Sequence, residues 1–393
     1  MERIGIFGGT FNPPHLGHIQ AAQCALDVLR LDKLLLIPDR IAPHKQLPDN
    51  SATSQQRLEM LRIAVRHPKM EVSDIEMQRE GPSYTYKTIN QLRVRYPEAK
   101  LYLLMGTDMF LSFPEWREFR QIQKQVTLAV MYRGDQEEKE KIQKQKAALE
   151  AQGAEVVLVE NPVNAISSTQ LRRLLAFHCA GDFLPEGVGD YIQTHELYDV
   201  AADWKCLPMD DLEKVVIRLL NPNRVAHVLG CRDTAMALSE RWGANVADAA
   251  RAGMLHDVTK ALDGPLQLTL CAAYGTIISD FSAKNPKTLH ALTGSLVAER
   301  IFGENAAVVC AIRHHTTGKA DMTLLEKIIY VADYMEPNRD FPGVERLRHL
   351  AFTNIDGALK LGLEMTVAML TQQGRTVSRE SIEALEWLVS HGV

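Results

Sequence analysis

Gly5-Ile6-Phe7-Gly8-Gly9-Thr10-Phe11-Asn12-Pro13-Pro14-His15-Leu16-Gly17-His18 is where the reading of this chain begins. An apolar strand-like run ends in two glycines, and a helix-like segment opens at Leu16. Glycines directly after a strand let backbone amides approach a phosphate with no Cβ in the way, and the helix that follows turns its positive end to the same anion. His15 and His18 lie three residues apart around the first helical turn, so they share a face and can address one phosphate. Two glycines alone would serve equally well in a ligand-free turn. Two polar imidazoles beside Gly-Gly-Thr have little packing purpose, and they favour the phosphate.

Outward from this stretch, strands are expected at Arg3–Phe7, Lys33–Pro38, Glu71–Met77, Lys100–Met105, Val126–Tyr132 and Glu155–Val159. Helices fit between them, among them Leu16–Leu29, Ser54–Arg66, Tyr86–Arg95 and Ser168–Phe177. Regular alternation predicts an α/β, Rossmann-like unit: a parallel sheet with helices on both faces, its ligand outside the carboxyl ends of the strands where strand order reverses. From about Asp210 the strand signal stops. Helices are expected at Arg218–Trp242, Val246–His256, Lys287–Phe302, Ala306–His314, Leu324–Met335, Arg346–Leu370 and Arg379–Leu388, which predicts an all-α bundle. The expected division is 1–198, a linker at 199–209, and 210–393.

A second anion site is suggested by Ile166-Ser167-Ser168-Thr169-Gln170-Leu171-Arg172. Ser167 and Gln170 fit a capping box, and Arg172 adds a charge that capping does not require. The formal net charge of −5 argues against a nucleic-acid partner. The six cysteines are all far apart, so no CxxC pair is available for zinc or redox chemistry. No apolar run approaches the ~20 residues of a membrane span, and the start shows no secretory signal, so a cytoplasmic location is expected.

The motifs Gly-Gly-Thr-Phe-Asn-Pro-Pro-His-Leu-Gly-His, Pro43-His44-Lys45, Ser83-Tyr84-Thr85, Gly106-Thr107-Asp108, Trp116, Arg133 and Ile166-Ser167-Ser168-Thr169 resemble, in this order, bacterial nicotinate mononucleotide adenylyltransferase across about residues 1–198. The resemblance implies ATP and nicotinate mononucleotide as substrates, deamido-NAD and pyrophosphate as products, and Mg²⁺. It implies His15, His18, Lys45 and Arg172 as catalytic residues. Gly8, Gly9, Thr10, Phe11, His18, Gly106, Asp108, Ile166, Ser167, Ser168, Thr169 and Arg172 would hold ATP. His44, Lys45, Thr85, Trp116 and Arg133 would hold the mononucleotide. Two departures stand out: Ala42 replaces a usual proline, and Lys87 replaces a common Asp, inverting a charge near the mononucleotide and leaving nicotinate versus nicotinamide open.

In the second half, His227, His256-Asp257 and Asp333 are separated by 29 and 76 residues, too widely for a zinc finger. A helical bundle can gather such side chains in its core. A lone histidine there is usually structural; with His290, His314 and His315 added, too many ionisable groups would be buried without partners. Mixed imidazole and carboxylate suits Fe, Mn or Mg better than closed structural zinc.

The pattern resembles the HD-domain metal-dependent phosphohydrolases, and more narrowly the branch that splits diadenosine tetraphosphate symmetrically into two ADP, over about residues 212–393. This implies His227, His256, Asp257 and Asp333 as ligands of Fe²⁺ or another divalent metal such as Mn²⁺. Arg224, Asp257, Lys260, His290, His314, His315, Asp333 and Arg339 would surround ADP or the dinucleotide, with a second metal at His290 and the His314-His315 pair as an alternative. The combined expectation is a bifunctional enzyme. A nucleotide-sensing regulatory module, or a phosphohydrolase of another nucleotide, is the alternative for the second half, and self-association is left open.

Overall fold

A computed structural model describes residues 1–43, 46–132, 136–161 and 166–393. The chain divides into two units, Met1–Ala201 and Ala202–Val393. The first runs β1 (Arg3–Gly9), α1 (Leu16–Val28), β2 (Lys33–Pro38), α2 (Ser54–Ala64), β3 (Met70–Val72), α3 (Thr85–Arg95), β4 (Lys100–Gly106), α4 (Thr107–Leu111), α5 (Phe119–Gln123), β5 (Thr127–Tyr132), α6 (Gln136–Glu150), β6 (Glu155–Glu160), α7 (Ser168–Ala176) and α8 (Val188–Thr194).

Every strand pair is parallel, in the order β3-β2-β1-β4-β5-β6. Successive strand residues serve opposite faces, so a sheet covered on both sides must be apolar throughout. Ile4, Ile6, Leu35, Ile37, Leu101 and Leu103 enter one core. Phe7, Leu34, Leu36, Tyr102 and Leu104 enter the other. Gly5 is a packing glycine, since a Cβ there would stand 2.5 Å from Leu34 and 2.6 Å from Leu31. Strand order reverses at β1, which lies between β2 and β4, so the carboxyl ends of β1 and β4 adjoin and open a crevice. The expected strand Glu71–Met77 shortens to β3, because the Met77 N–H turns back to the Asp74 carbonyl and takes the chain off the sheet edge.

The second unit is helical throughout: α9 (Met209–Leu219), α10 (Val225–Trp242), α11 (Val246–Leu255), α12 (Gly264–Ala273), α13 (Asp280–Lys284), α14 (Leu289–Arg300), α15 (Ala306–His314), α16 (Leu324–Met335), α17 (Val344–Thr353), α18 (Ile355–Gln372) and α19 (Arg379–Ser390). The expected helix Arg218–Trp242 is broken, because Pro222 lacks an N–H and holds Asn221 extended, so α9 ends and α10 starts afresh. The expected helix Arg346–Leu370 is likewise two. Asn354 leaves helical geometry and its side chain caps α18, accepting from the Gly357 N–H at 2.9 Å.

Helix α16 runs through the bundle with Ile328, Ile329, Val331 and Ala332 buried, packed on α10, α11 and α15. Gly253 lets α11 close on α10, where a Cβ would lie 2.7 Å from the Arg232 Cα. That crossing brings His227 on α10 and His256 at the end of α11 into one interior with Asp333 of α16. No helix among the described residues is long and apolar enough to cross a membrane.

Candidate functional site

In the first unit, His15 is the N-cap of α1 and has extended geometry (φ −142°). Its Nδ1 accepts from the His18 backbone N–H at 3.3 Å, and the His18 Nδ1 accepts from the His15 N–H at 3.3 Å. The rings stack 3.5 Å apart at 24°. Because each Nδ1 is an acceptor, the hydrogen-bond network assigns the proton of each neutral ring to Nε2. Burial pushes the pKa of His15 down to about 4; burial, and then His15 itself, push that of His18 well below the ordinary value. Both rings are therefore neutral donors. Phe11 holds His18 edge-on, with centroids 5.0 Å apart.

Gly8, near the end of β1, and Gly106, at the end of β4, flank the crevice. A Cβ on either would meet nothing within 4 Å, and neither has the left-handed backbone that favours glycine. Folding does not explain the two glycines, and their missing Cβ atoms leave room for a ligand. At Gly9 a Cβ would crowd the Phe11 ring at 3.1 Å.

The loop between β1 and α1 is braced by buried polar groups that carry no motif. Arg57 on α2, 1% exposed, donates to the Thr10 carbonyl at 2.6 Å and the Asp39 carboxylate at 2.9 Å. Asp39 in turn accepts from the Thr10 hydroxyl at 2.8 Å. Asn12 receives the Tyr198 hydroxyl at 2.7 Å and donates to Ser51 at 2.9 Å. At α7 the capping box is formed: Ser167 Oγ accepts from the Gln170 N–H, and Gln170 Oε1 from the Ser167 N–H. Ser168 Oγ donates to the Pro13 carbonyl at 3.0 Å and Arg172 Nη1 to the Asn12 carbonyl at 2.7 Å. The two anion-binding segments read from the sequence are thus joined directly, and Arg172 makes the joint with Thr169 at 3.2 Å on its other nitrogen. Ile166 is buried beside them.

Thr107 opens α4 and its hydroxyl donates to Glu138, while Asp108 is exposed in the first turn. Thr85 opens α3, and half-buried Trp116 packs on Phe113 with centroids 5.5 Å apart. His44, Lys45 and Arg133 lie outside the described residues.

In the second unit, four imidazoles have an outward partner. His227 Nδ1 is 3.0 Å from Glu336 Oε1. The Nδ1 atoms of His256, His290 and His315 meet the carbonyls of Gly253 (2.7 Å), Lys287 (2.8 Å) and Ile312 (2.6 Å). Such partners fix the proton on Nδ1 and leave each Nε2 lone pair facing inward. There His227 Nε2 lies 3.3 Å from His256 Nε2 and 3.2 Å from Asp333 Oδ1. Asp257 is central: Oδ2 lies 3.7 Å from His227 and 3.6 Å from His256, whereas Oδ1 lies 3.4 Å from His290 and 4.0 Å from His315. Lone pairs facing lone pairs at these distances repel unless a cation stands between them, and this donor set fits a divalent metal.

Burial keeps His256 and His290 neutral and holds His315 at about 4. Burial alone would push the Asp333 carboxyl up, but the groups set against it, His227, His256 and Arg339, outweigh that and hold it well below the usual range. Arg224 bonds Asp257, and Arg339 donates to Asp333 Oδ1 at 2.7 Å. Lys260 Nζ lies 2.9 Å from His290 Nε2, and burial lowers its pKa to about 8. His315, not His314, supplies the Nε2 that reaches Asp257. His314 instead turns Nδ1 to buried Glu326 at 2.8 Å; burial works against that carboxylate, yet His314 and the Thr323 cap hold it at about 2. Glu336, Glu326 and Thr316, whose hydroxyl lies 3.2 Å from His315 Nε2, are not singled out by the sequence, where only the run Asp333-Tyr-Met-Glu336 hints at the first.

The strand order and the joined glycine-rich and capping segments are those of a nucleotidyltransferase-like α/β unit, and the helical unit gathers imidazoles and carboxylates in groups that could hold a metal ion. A cytidylyltransferase-like family model matches residues 6–174, and an HD domain model matches 224–338. A probable nicotinate-nucleotide adenylyltransferase from Geobacillus thermodenitrificans is 39% identical over 200 residues, 50% of this chain and 87% of that protein. One from Shewanella pealeana is 38% identical over 208 residues, 50% of this chain and 95% of its own length. The crystal structure of a predicted HD superfamily hydrolase involved in NAD metabolism from Clostridium acetobutylicum is 34% identical over 47% of this chain and 98% of that one, with a TM-score of 0.46. The chain belongs to the nicotinate-nucleotide adenylyltransferase family through its N-terminal half, and it carries an HD domain in its C-terminal half.

Proposed function

We propose that the first unit transfers the adenylyl group of ATP to nicotinate mononucleotide, and that the second hydrolyses diadenosine tetraphosphate symmetrically to two ADP. The reciprocal cap of His15 and His18 carries the first reading. The mononucleotide phosphate is already anionic, so no general base is required. Its oxygen forms a bond to the α-phosphorus of ATP while the bond to the pyrophosphate oxygen breaks, and negative charge accumulates on the transferring group. Two neutral Nε2–H donors beside open Gly8 and Gly106 are suited to meet that charge without reorganisation. Lys45 and Arg172 attend the outer phosphates, Thr10, Phe11, Ser168 and Asp108 complete the ATP pocket, and Thr85, Trp116, His44 and Arg133 hold the mononucleotide. Mg²⁺, when bound, neutralises phosphate charge.

For the second reading, His227, His256, Asp257 and Asp333 would hold Fe²⁺ or another divalent ion, with His290 and His315 offering Asp257 a second set of donors. The bound metal supplies Lewis acidity and lowers the pKa of water. Arg224, Lys260, His314 and Arg339 bind and orient the phosphates of the dinucleotide. The complete inward donor set supports turnover over a purely regulatory role. Product analysis on wild type, His18→Ala and Asp257→Ala with each substrate and with Mg²⁺, Mn²⁺ or anaerobic Fe²⁺ tests the pair. Each variant should lose one activity and keep the other, and wild type inert on diadenosine tetraphosphate with every metal refutes the hydrolase.

A further inference from the structure

Two cations address one half-buried ring on the carboxyl side of the sheet. Arg117 Cζ lies 5.0 Å, and Lys87 Nζ 5.9 Å, from the centroid of Tyr84. Both are exposed, and among the described residues neither is within salt-bridge distance of an acid. Local helix stability does not account for Lys87. It stands in the first turn of α3, which has no acid there and no side-chain cap, and a cation in that turn opposes the helix dipole.

The contact also joins two separate segments. Tyr84 immediately precedes Thr85, and Arg117 immediately follows Trp116, so the Arg117–Tyr84 contact draws together residues 33 positions apart in the chain. The Tyr84 segment is tied to the end of β2, where the Ser83 N–H donates to the Ile41 carbonyl at 2.9 Å and Ser83 Oγ accepts from the Arg40 N–H at 2.9 Å. The Trp116 segment follows α4, which starts at the end of β4. Both therefore belong to the rim of the crevice where strand order reverses.

We infer that Lys87 and Arg117, held on either contact of Tyr84, determine specificity for a negatively charged substituent on the pyridine ring of the mononucleotide. This rests on the adenylyltransferase reading above. Nicotinate and nicotinamide mononucleotides share phosphate, ribose and ring; they differ in a carboxylate against a neutral amide. Stacking on Trp116 does not distinguish them. An unpaired positive pair does, by attraction at the approach and by charge-assisted hydrogen bonds to the carboxylate that the amide cannot match.

Steady-state kinetics with both mononucleotides, on the full chain and on Lys87→Met, Arg117→Met and the double variant, test this. The ratio of kcat/KM for nicotinate over nicotinamide mononucleotide should fall roughly tenfold in each single variant and further in the double, through the KM of the nicotinate substrate, and should also fall with added salt. Lys87→Glu should lower it more than Lys87→Met. A ratio within twofold of wild type in the double variant overturns the inference while leaving the adenylyltransferase reading intact. A wild type that adenylylates neither mononucleotide overturns both. Circular dichroism of each variant separates a selective loss from a failure to fold.

Discussion

His15 and His18 cap the same helix through each other: each Nδ1 takes the other's backbone N–H at 3.3 Å, and the rings stack at 3.5 Å. One interaction thus secures the helix start, sets both tautomers and leaves two Nε2–H donors. Structure and chemistry can be separated by substitution. His15→Ala should cost about 1 kcal/mol in urea unfolding, the usual value of a lost N-cap, and lower adenylyl transfer. His15→Asn should recover the stability and not the activity. Recovery of both would mean that the imidazole serves only as a cap.

Acid should weaken the metal-free protein through these buried rings. His15 binds its proton at about 4 when folded, but near 6.5 when unfolded. Between these values the unfolded chain holds more protons, so stability falls as pH drops from about 6.5 to 4 and changes little above that window. The full difference for one such ring is about 3 kcal/mol. Urea midpoints at pH 7.5 and pH 5 should therefore converge more closely in His15→Asn than in wild type.

Gly8 and Gly5 should respond oppositely to alanine. At Gly8 the added Cβ meets no protein atom, so Gly8→Ala should change the melting temperature little while raising the KM for ATP or lowering kcat by about tenfold or more. At Gly5 it collides with Leu34 and Leu31, and Gly5→Ala should destabilise by about 1–3 kcal/mol through overpacking. A Gly8→Ala enzyme with unaltered kinetics would remove the argument that this space belongs to a ligand.

Glu336 should govern metal affinity through His227. It is buried, accepts from the Asn338 N–H at 2.7 Å and side chain at 2.8 Å, and fits only because position 230 lacks a Cβ, which would stand 2.5 Å from its Oε2. Glu336→Ala should weaken Mn²⁺ binding about 10–100-fold by calorimetry, and shrink the thermal shift that Mn²⁺ produces. Gly230→Ala should act in the same direction by displacing the carboxylate.

Much of this is legible in the sequence itself. Strand and helix alternation carried the parallel sheet because a sheet covered on both faces must be apolar at every position, and Ile4, Phe7, Leu34 and Leu35 show that pattern. The bounds expected from periodicity at Ala306–His314 and Leu324–Met335 coincide with α15 and α16, whose starts the Asn305 and Thr323 side chains cap with hydrogen bonds. The failures were local. Pro222 and Asn354 each broke a helix that apolar periodicity alone had run through, since periodicity reports a buried face and is silent about a backbone that turns within it.

Residue type and spacing alone set the inventory: glycines after the first strand, two histidines one turn apart, and imidazoles and carboxylates spread over separate helices. They could not set which atoms face which. That His15 and His18 cap one another, that Arg172 bonds the Asn12 carbonyl, that His315 and not His314 reaches Asp257, and that Arg57 and Glu336 stand behind the two sites all depend on pairs distant in the chain or on side-chain rotation. Hydrogen-bond direction and burial exist only once elements have packed, and it is these that make neutral donors of His15 and His18 at one site and turn the Nε2 atoms of His227, His256, His290 and His315 inward at the other.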